Sequence, residues 1–141
     1  MTEPAILELR RLSFRYPNGR LALREISCLV NRHERVAVVG PSGAGKSTLL
    51  MHCNGLLPSP SVLHDGDAQV FVQGVAVTKS HLRETRRQVG FLFQDPDDQL
   101  FCPSVREDVA FGPLNGGLDQ HEVLARVERG LASVGMPALA R

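Results

Sequence analysis

"RVAVVGPSGAGKSTLLMHCNGLL", Arg35 to Leu57, holds three signals in a row. Val36 to Val39 is apolar on both faces, which suits a strand in a parallel sheet covered by helices. "KSTLLMHCNGLL" has helical spacing, with Leu49, Leu50, Cys53 and Leu56 as the expected buried stripe and Gly55 near its end. Between them lies "GPSGAGKST", Gly40 to Thr48. It fits G-x-x-x-x-G-K-[ST] and sits where that motif must sit, after a strand and before a helix. With glycine near 7% of residues, a chance match in a chain this short is on the order of one in a few hundred.

The residue types explain the chemistry. Gly40, Gly43 and Gly45 permit backbone conformations that a side chain would block. Pro41, Ser42 and Ala44 complete the loop. N–H groups from about Gly43 to Thr48 can converge into an anion nest, reinforced by the helix dipole. Lys46 supplies a point charge for the β and γ phosphates. The Ser47 hydroxyl can take one Mg²⁺ coordination position, and Thr48 suits the α-phosphate. The ligand implied is a nucleoside triphosphate with Mg²⁺.

Upstream, "ILELRRLSFRY" alternates as a strand and "ISCLV" reads as a second one. Tyr16, the only tyrosine, ends the first. Alone it reads either as a core aromatic or as a ring placed to stack on a base. Downstream, "DAQVFVQGVAVT" reads as two short strands around Gly74, and "SHLRETRR" as a short helix with Ser80 as N-cap. "QVGFLF" reads as another buried strand. It runs into Gln94, an acidic turn "DPDD", and two apolar residues, Leu100 and Phe101. Ser104 and Asp119 are expected to cap helices over "VREDVAFGPL" and "QHEVLARVERGLASVG". Val123, Val127 and Leu131 share one face of the second, which Gly135 closes.

Composition narrows the class. The 141 residues fit one domain or an incomplete larger one, with 43% hydrophobic and 22% charged residues. A net charge of +1 gives no polyelectrolyte signature for nucleic acid. Arg10, Arg11, Arg15, Arg20, Arg24, Arg32 and Arg35 interleave with apolar residues, as on a solvated strand face. Cys28, Cys53 and Cys102 form neither a disulfide framework nor a zinc site and read as free thiols of a reducing compartment. The five histidines lack ligand spacing and read as surface or satisfied core residues. The N-terminus lacks signal-peptide character, and no apolar run approaches eighteen residues.

"FRYP", "GPSGAGKSTLL" and "FQDPDDQLF" together resemble the ATP-binding cassette ATPases. "FQDPDDQLFCPSVREDVAFGPLN" is especially similar to the ATPase subunits of energy-coupling-factor and cobalt/nickel-type importers. The resemblance runs from about Ala5 to the last residue. It implies a P-loop α/β fold: an N-terminal antiparallel β subdomain (1–35 and 66–78), a parallel-sheet P-loop core (36–57 and 79–95), and the start of a helical subdomain (96–141). It implies ATP and Mg²⁺ as ligands, with Tyr16 stacking on adenine. Lys46, Ser47 and Thr48 take the phosphate and Mg²⁺ roles, and Gln94 is a catalytic residue that reaches the Mg²⁺ and the attacking water. It also implies a transmembrane partner docking near Leu100 and Phe101, a second ATPase subunit in a homo- or heterodimer, and a peripheral place on the cytoplasmic face of the cell membrane. Read without the resemblance, Leu100 and Phe101 could instead pack locally under the helix at Val105 to Leu114.

Two parts of the family pattern do not occur. There is no Leu-Ser-Gly-Gly-Gln signature and no run of four apolar residues followed by Asp-Glu; "VLHDGD" is the nearest imitation. A downstream switch histidine is also missing, since His121 lies too early and in a helix. The expectation is the front portion of a cassette: the ATP-binding part of an importer motor for a metal ion or vitamin, without turnover by itself. The alternative is a nucleotide-binding or regulatory module that does not hydrolyse.

Overall fold

The computed structural model describes residues 5–59, 66 and 68–140. The "VLHDGD" segment lies almost entirely outside them. The chain divides into two compact units, residues 1–91 and 92–141.

The first unit is built on a four-stranded antiparallel sheet in the order β2-β1-β3-β4. Its strands are β1 (Leu7–Arg15), β2 (Leu21–Val30), β3 (Val70–Val72) and β4 (Val75–Ala76). Strand β1 does not keep a simple alternation. Leu9 and Leu12 are both buried although three residues apart. Arg11 takes a left-handed φ of 47°, and the β1–β2 register shifts between Leu9 and Leu12. A bulge inserts one residue and flips the phase of everything after it. Leu7 and Leu9 face the core before it; Leu12 and Phe14 face the core after it.

Helix α1 (Lys46–Cys53) covers this sheet, with Leu49 and Cys53 in the cluster formed by Leu9, Leu12, Leu23, Val70, Val72, Val77 and Leu82. Helix α2 (Leu82–Gln88) completes the unit. Gly55 lets α1 and α2 approach: its φ is 69°, and a Cβ there would meet Leu82 at 2.3 Å. Two local expectations fail. Leu50 is exposed, and the positions buried beside Cys53 are His52 and Asn54. Ser80 does not cap α2, whose N-cap is His81 without a side-chain bond; the Ser80 hydroxyl pairs with that of Thr78 instead.

The parallel-sheet core is not seen. Val36–Val39 and residues 88–93 form no strand, and Val36, Val38 and Val39 are exposed. An apolar run marks a segment that gains by burial. A strand also needs a place in a hydrogen-bonded sheet, and among the described residues the sheet is β2-β1-β3-β4, which includes neither segment.

The second unit is a helical hairpin. A 3₁₀ turn (Pro96–Gln99) opens it, with the Asp95 carboxylate accepting from the Asp97 amide. Helices α3 (Val105–Asn115) and α4 (Gln120–Ser133) follow. Ser104 and Asp119 cap them as expected, accepting from the amides of Glu107 and Glu122. Val123, Val127 and Leu131 pack against Val109, Ala110 and Leu118. Gly135, at φ 77°, ends α4, and the next amide returns to the Leu131 carbonyl.

Candidate functional site

The loop Gly40–Gly45 turns through three left-handed glycines, with φ of 153°, 79° and 93° at Gly40, Gly43 and Gly45. Gly45 is required by contact as well as by φ. A Cβ there would lie 2.6 Å from the Ala22 carbonyl oxygen of β2. The loop is thus seated on the sheet by its backbone, not by its side chains.

Helix α1 starts directly from it. Its N-cap is Gly45, with no side-chain cap and no acidic residue in the first turn. The Leu49 N–H donates to the Gly45 carbonyl at 2.8 Å, the first bond of the helix. The amides of Lys46, Ser47 and Thr48 therefore stand at the positive end of the helix, before its internal bonding begins. The Lys46 ammonium folds over the loop and donates to the Gly40 and Pro41 carbonyls at 2.9 and 2.8 Å. Ser42 and Ala44 are exposed on the loop, and Ser47 is exposed at the helix start. A cation over a glycine cradle at an uncapped helix start fits a polyphosphate, and the exposed Ser47 hydroxyl fits one ligand position of its Mg²⁺.

Tyr16 reaches this site. It follows β1 and opens a turn, its amide donating to Arg20 and its carbonyl accepting from Gly19. Its position continues the phase set by the Arg11 bulge, the side of Leu12 and Phe14. Its hydroxyl lies 2.9 Å from the Thr48 hydroxyl. The structure thus brings Tyr16 to the loop. Gln94 is exposed at the start of the second unit, just ahead of the 3₁₀ turn.

Two residues went unnoticed in the sequence. Arg20 was grouped with a solvated strand face, yet its guanidinium donates to the Gly43 carbonyl at 3.3 Å. Only the hairpin brings together residues so far apart in sequence. His52 was grouped with the ordinary histidines. It is 3% exposed, and its Nδ1 lies 2.7 Å from the Thr48 carbonyl. A carbonyl only accepts, so Nδ1 carries the proton. Nε2 is then a buried acceptor with no partner among the described residues. Its position one helical turn beyond Thr48 was the available signal.

Burial holds the His52 pKa below its ordinary 6.5, opposed by the bond to the Thr48 carbonyl. The unfolded chain takes up this proton near 6.5, the folded chain only at lower pH. The stability contributed by a neutral His52 is therefore complete above about pH 6.5 and is lost as pH falls through the folded value. Melting curves of wild type and His52→Leu should diverge in that window, with the wild type losing more on acidification. Parallel curves would show that His52 does not titrate differently on folding. Burial also pushes the Cys53 thiol up to about 11, with a smaller contribution from Cys28. All three cysteines are free.

The ABC transporter family profile matches residues 23–141. The chain belongs to the ABC transporter family. It is 52% identical over 130 residues to a putative ABC transporter ATP-binding protein of Streptomyces avermitilis, covering 92% of this chain and 47% of that protein. It is also 52% identical to the energy-coupling factor transporter ATP-binding protein EcfA of Methanothermobacter thermautotrophicus, covering 93% of this chain and 41% of that one. Among solved structures, cbiO1 from Clostridium perfringens, described as part of the ABC transporter complex cbiONQ, superposes with a TM-score of 0.77. That match has 33% identity and covers 98% of this chain and 53% of cbiO1. The ABC transporter chain spans about half the length of the curated relatives it matches. Members of the family bind ATP and Mg²⁺. Among the described residues no helix is long and apolar enough to cross a membrane.

Proposed function

We propose that this chain is the ATP-binding portion of the ATPase subunit of an importer of the energy-coupling-factor type. The observation that carries this is the meeting of Tyr16 with the phosphate loop. A loop alone fits many nucleotide enzymes. A tyrosine hydroxyl 2.9 Å from the loop's last hydroxyl places an aromatic ring beside the phosphate cradle, where a base would stack.

The chain's residues then divide the work. The amides after Gly43 and the Lys46 ammonium hold the phosphates, and Thr48 serves the α-phosphate. Tyr16 covers adenine. Ser47 and Gln94 are the residues that would contact Mg²⁺, which neutralises phosphate charge when bound. Gln94 would position the attacking water. Leu100 and Phe101 form the docking tip for a transmembrane subunit, and a second ATPase subunit completes the site. The complex sits at the cytoplasmic face of the membrane. Residues 1–35 and 66–78, 36–57 and 79–95, and 96–141 correspond in this reading to the β subdomain, the P-loop core and the beginning of the helical subdomain.

The 141-residue chain by itself binds nucleotide without steady turnover, because its sequence has neither the signature loop nor the Asp-Glu pair. Titration with a labelled ATP analogue and Mg²⁺ tests the binding. A phosphate-release assay, with Lys46→Ala as contamination control, tests the turnover. The expected rate is background. Turnover near one per second that vanishes in the variant would place a catalytic base within these residues and refute the division proposed here.

A further inference from the structure

His52 closes a circuit of four residues with Thr48, Tyr16 and Phe14. Its Nδ1 donates to the Thr48 carbonyl at 2.7 Å. The Thr48 hydroxyl meets the Tyr16 hydroxyl at 2.9 Å. The Tyr16 ring packs edge-on against Phe14, with centroids 4.9 Å apart and an interplanar angle of 76°. The Phe14 ring packs against His52 at 4.6 Å and 68°. Thr48 and His52 are 7% and 3% exposed, so two corners of the circuit are sealed from water.

The circuit spans two elements distant in sequence, the end of β1 and the start of α1. Among the described residues no backbone ladder links Tyr16 to Thr48; the hydroxyl pair makes that link directly. The choice of histidine is informative. A buried Nε2 without a partner is unfavourable, and a leucine would fill the space without that defect. What histidine adds is one donor for the Thr48 carbonyl and one flat ring for Phe14. We propose that His52 is a positioning residue for nucleotide binding: through the Thr48 carbonyl and the Phe14 ring it holds Tyr16 against Thr48, so that the base side and the phosphate side of the site form one unit. This rests on the ATP reading of the site.

The consequence is a split between ligands. ATP·Mg²⁺ engages both sides of the site. Inorganic tripolyphosphate with Mg²⁺ has the phosphates but no base. His52→Leu should weaken ATP·Mg²⁺ by about five- to tenfold and tripolyphosphate by less than about twofold. His52→Asn, whose amide nitrogen overlays Nδ1, keeps the donor and loses the ring; its loss for ATP should be about two- to threefold. In a Tyr16→Ala background the effect of His52→Leu should shrink to less than about twofold, since the residue it positions is gone. The chain has one tyrosine and no tryptophan, so its ultraviolet emission reports Tyr16 alone. Without nucleotide, His52→Leu should make that emission more accessible to acrylamide.

Circular dichroism establishes that each variant is folded. If His52→Leu is not, the His52→Asn measurements decide by themselves, through the same split between the two ligands. Equal losses for ATP and tripolyphosphate, or additive losses in the double variant, would reduce His52 to core packing and overturn the inference. Wild type that binds ATP while the His52 variants bind it equally well overturns the inference alone. Wild type that binds neither ligand overturns the proposed function as well.

Discussion

Lys46→Ala is expected to weaken ATP·Mg²⁺ binding by more than tenfold while leaving the melting temperature nearly unchanged. The two halves of this result come from the same geometry. The ammonium donates to the Gly40 and Pro41 carbonyls, but the loop around it is exposed. When the side chain is removed, water reaches both carbonyls, so no buried group is orphaned. Binding differs. A hydrogen bond to a charged group contributes about 1.5–3 kcal/mol, and every 1.4 kcal/mol is a factor of about ten. On the proposed reading the β and γ phosphates would lose the only side-chain cation in the loop, and backbone amides carry only partial charge. Titration of wild type and variant with the same labelled analogue measures the ratio. Equal affinities in two folded proteins would remove the phosphate-cradle assignment, and Ser47 and Thr48 with it.

The cradle was legible because all of its determinants lie within nine consecutive residues, Gly40 to Thr48. Motif, flanking strand signal and flanking helix signal agree there. Tyr16 was legible as to residue but not as to cause. Its placement depends on the bulge at Arg11, which reverses the alternation of β1. Without that extra residue, the phase that carries Leu9 would carry Arg15 to the core side instead. Nothing in "ELRRLSFRY" announces the bulge, because an L-residue at positive φ has no obligatory sequence mark. His52 was hidden for another reason. Helical spacing nominated Leu50 as apolar, and hydrophobicity outranked the histidine. The structure turns Leu50 outward and His52 inward, where its proton finds the Thr48 carbonyl. Val36–Val39 shows the opposite case. Its composition stated a need for burial, and composition cannot supply the neighbouring strand.

The tip at Leu100 and Phe101 divides two roles that the sequence left open. Leu100 is 65% exposed and Phe101 61% exposed. Phe101 does touch α3, edge-on to Phe111 with centroids 4.6 Å apart, and the Cys102 amide is held by Asp108 at 3.0 Å. Local packing is therefore real but shallow. A buried phenylalanine truncated to alanine costs about 3–5 kcal/mol. An exposed ring loses little transfer energy, and an aromatic pair adds only about 0.5–1.5 kcal/mol. Leu100→Ala/Phe101→Ala should thus melt within a few degrees of wild type and bind ATP normally. Its large effect should fall on assembly. Leu100 and Phe101 are exposed, as are Val105, Phe111 and Leu114 of α3, and exposed apolar side chains in such number have little reason to remain in water. Aromatic anchors of this kind often dominate an interface. In the assembled transporter, co-purification with the transmembrane subunit should drop about tenfold or more in the double variant, corresponding to about 1.4 kcal/mol or more. Melting temperature, ATP affinity and capture are to be measured on the same preparation. A large drop in melting temperature with capture intact among the folded molecules would return Leu100 and Phe101 to the interior of the helical unit and end the docking proposal.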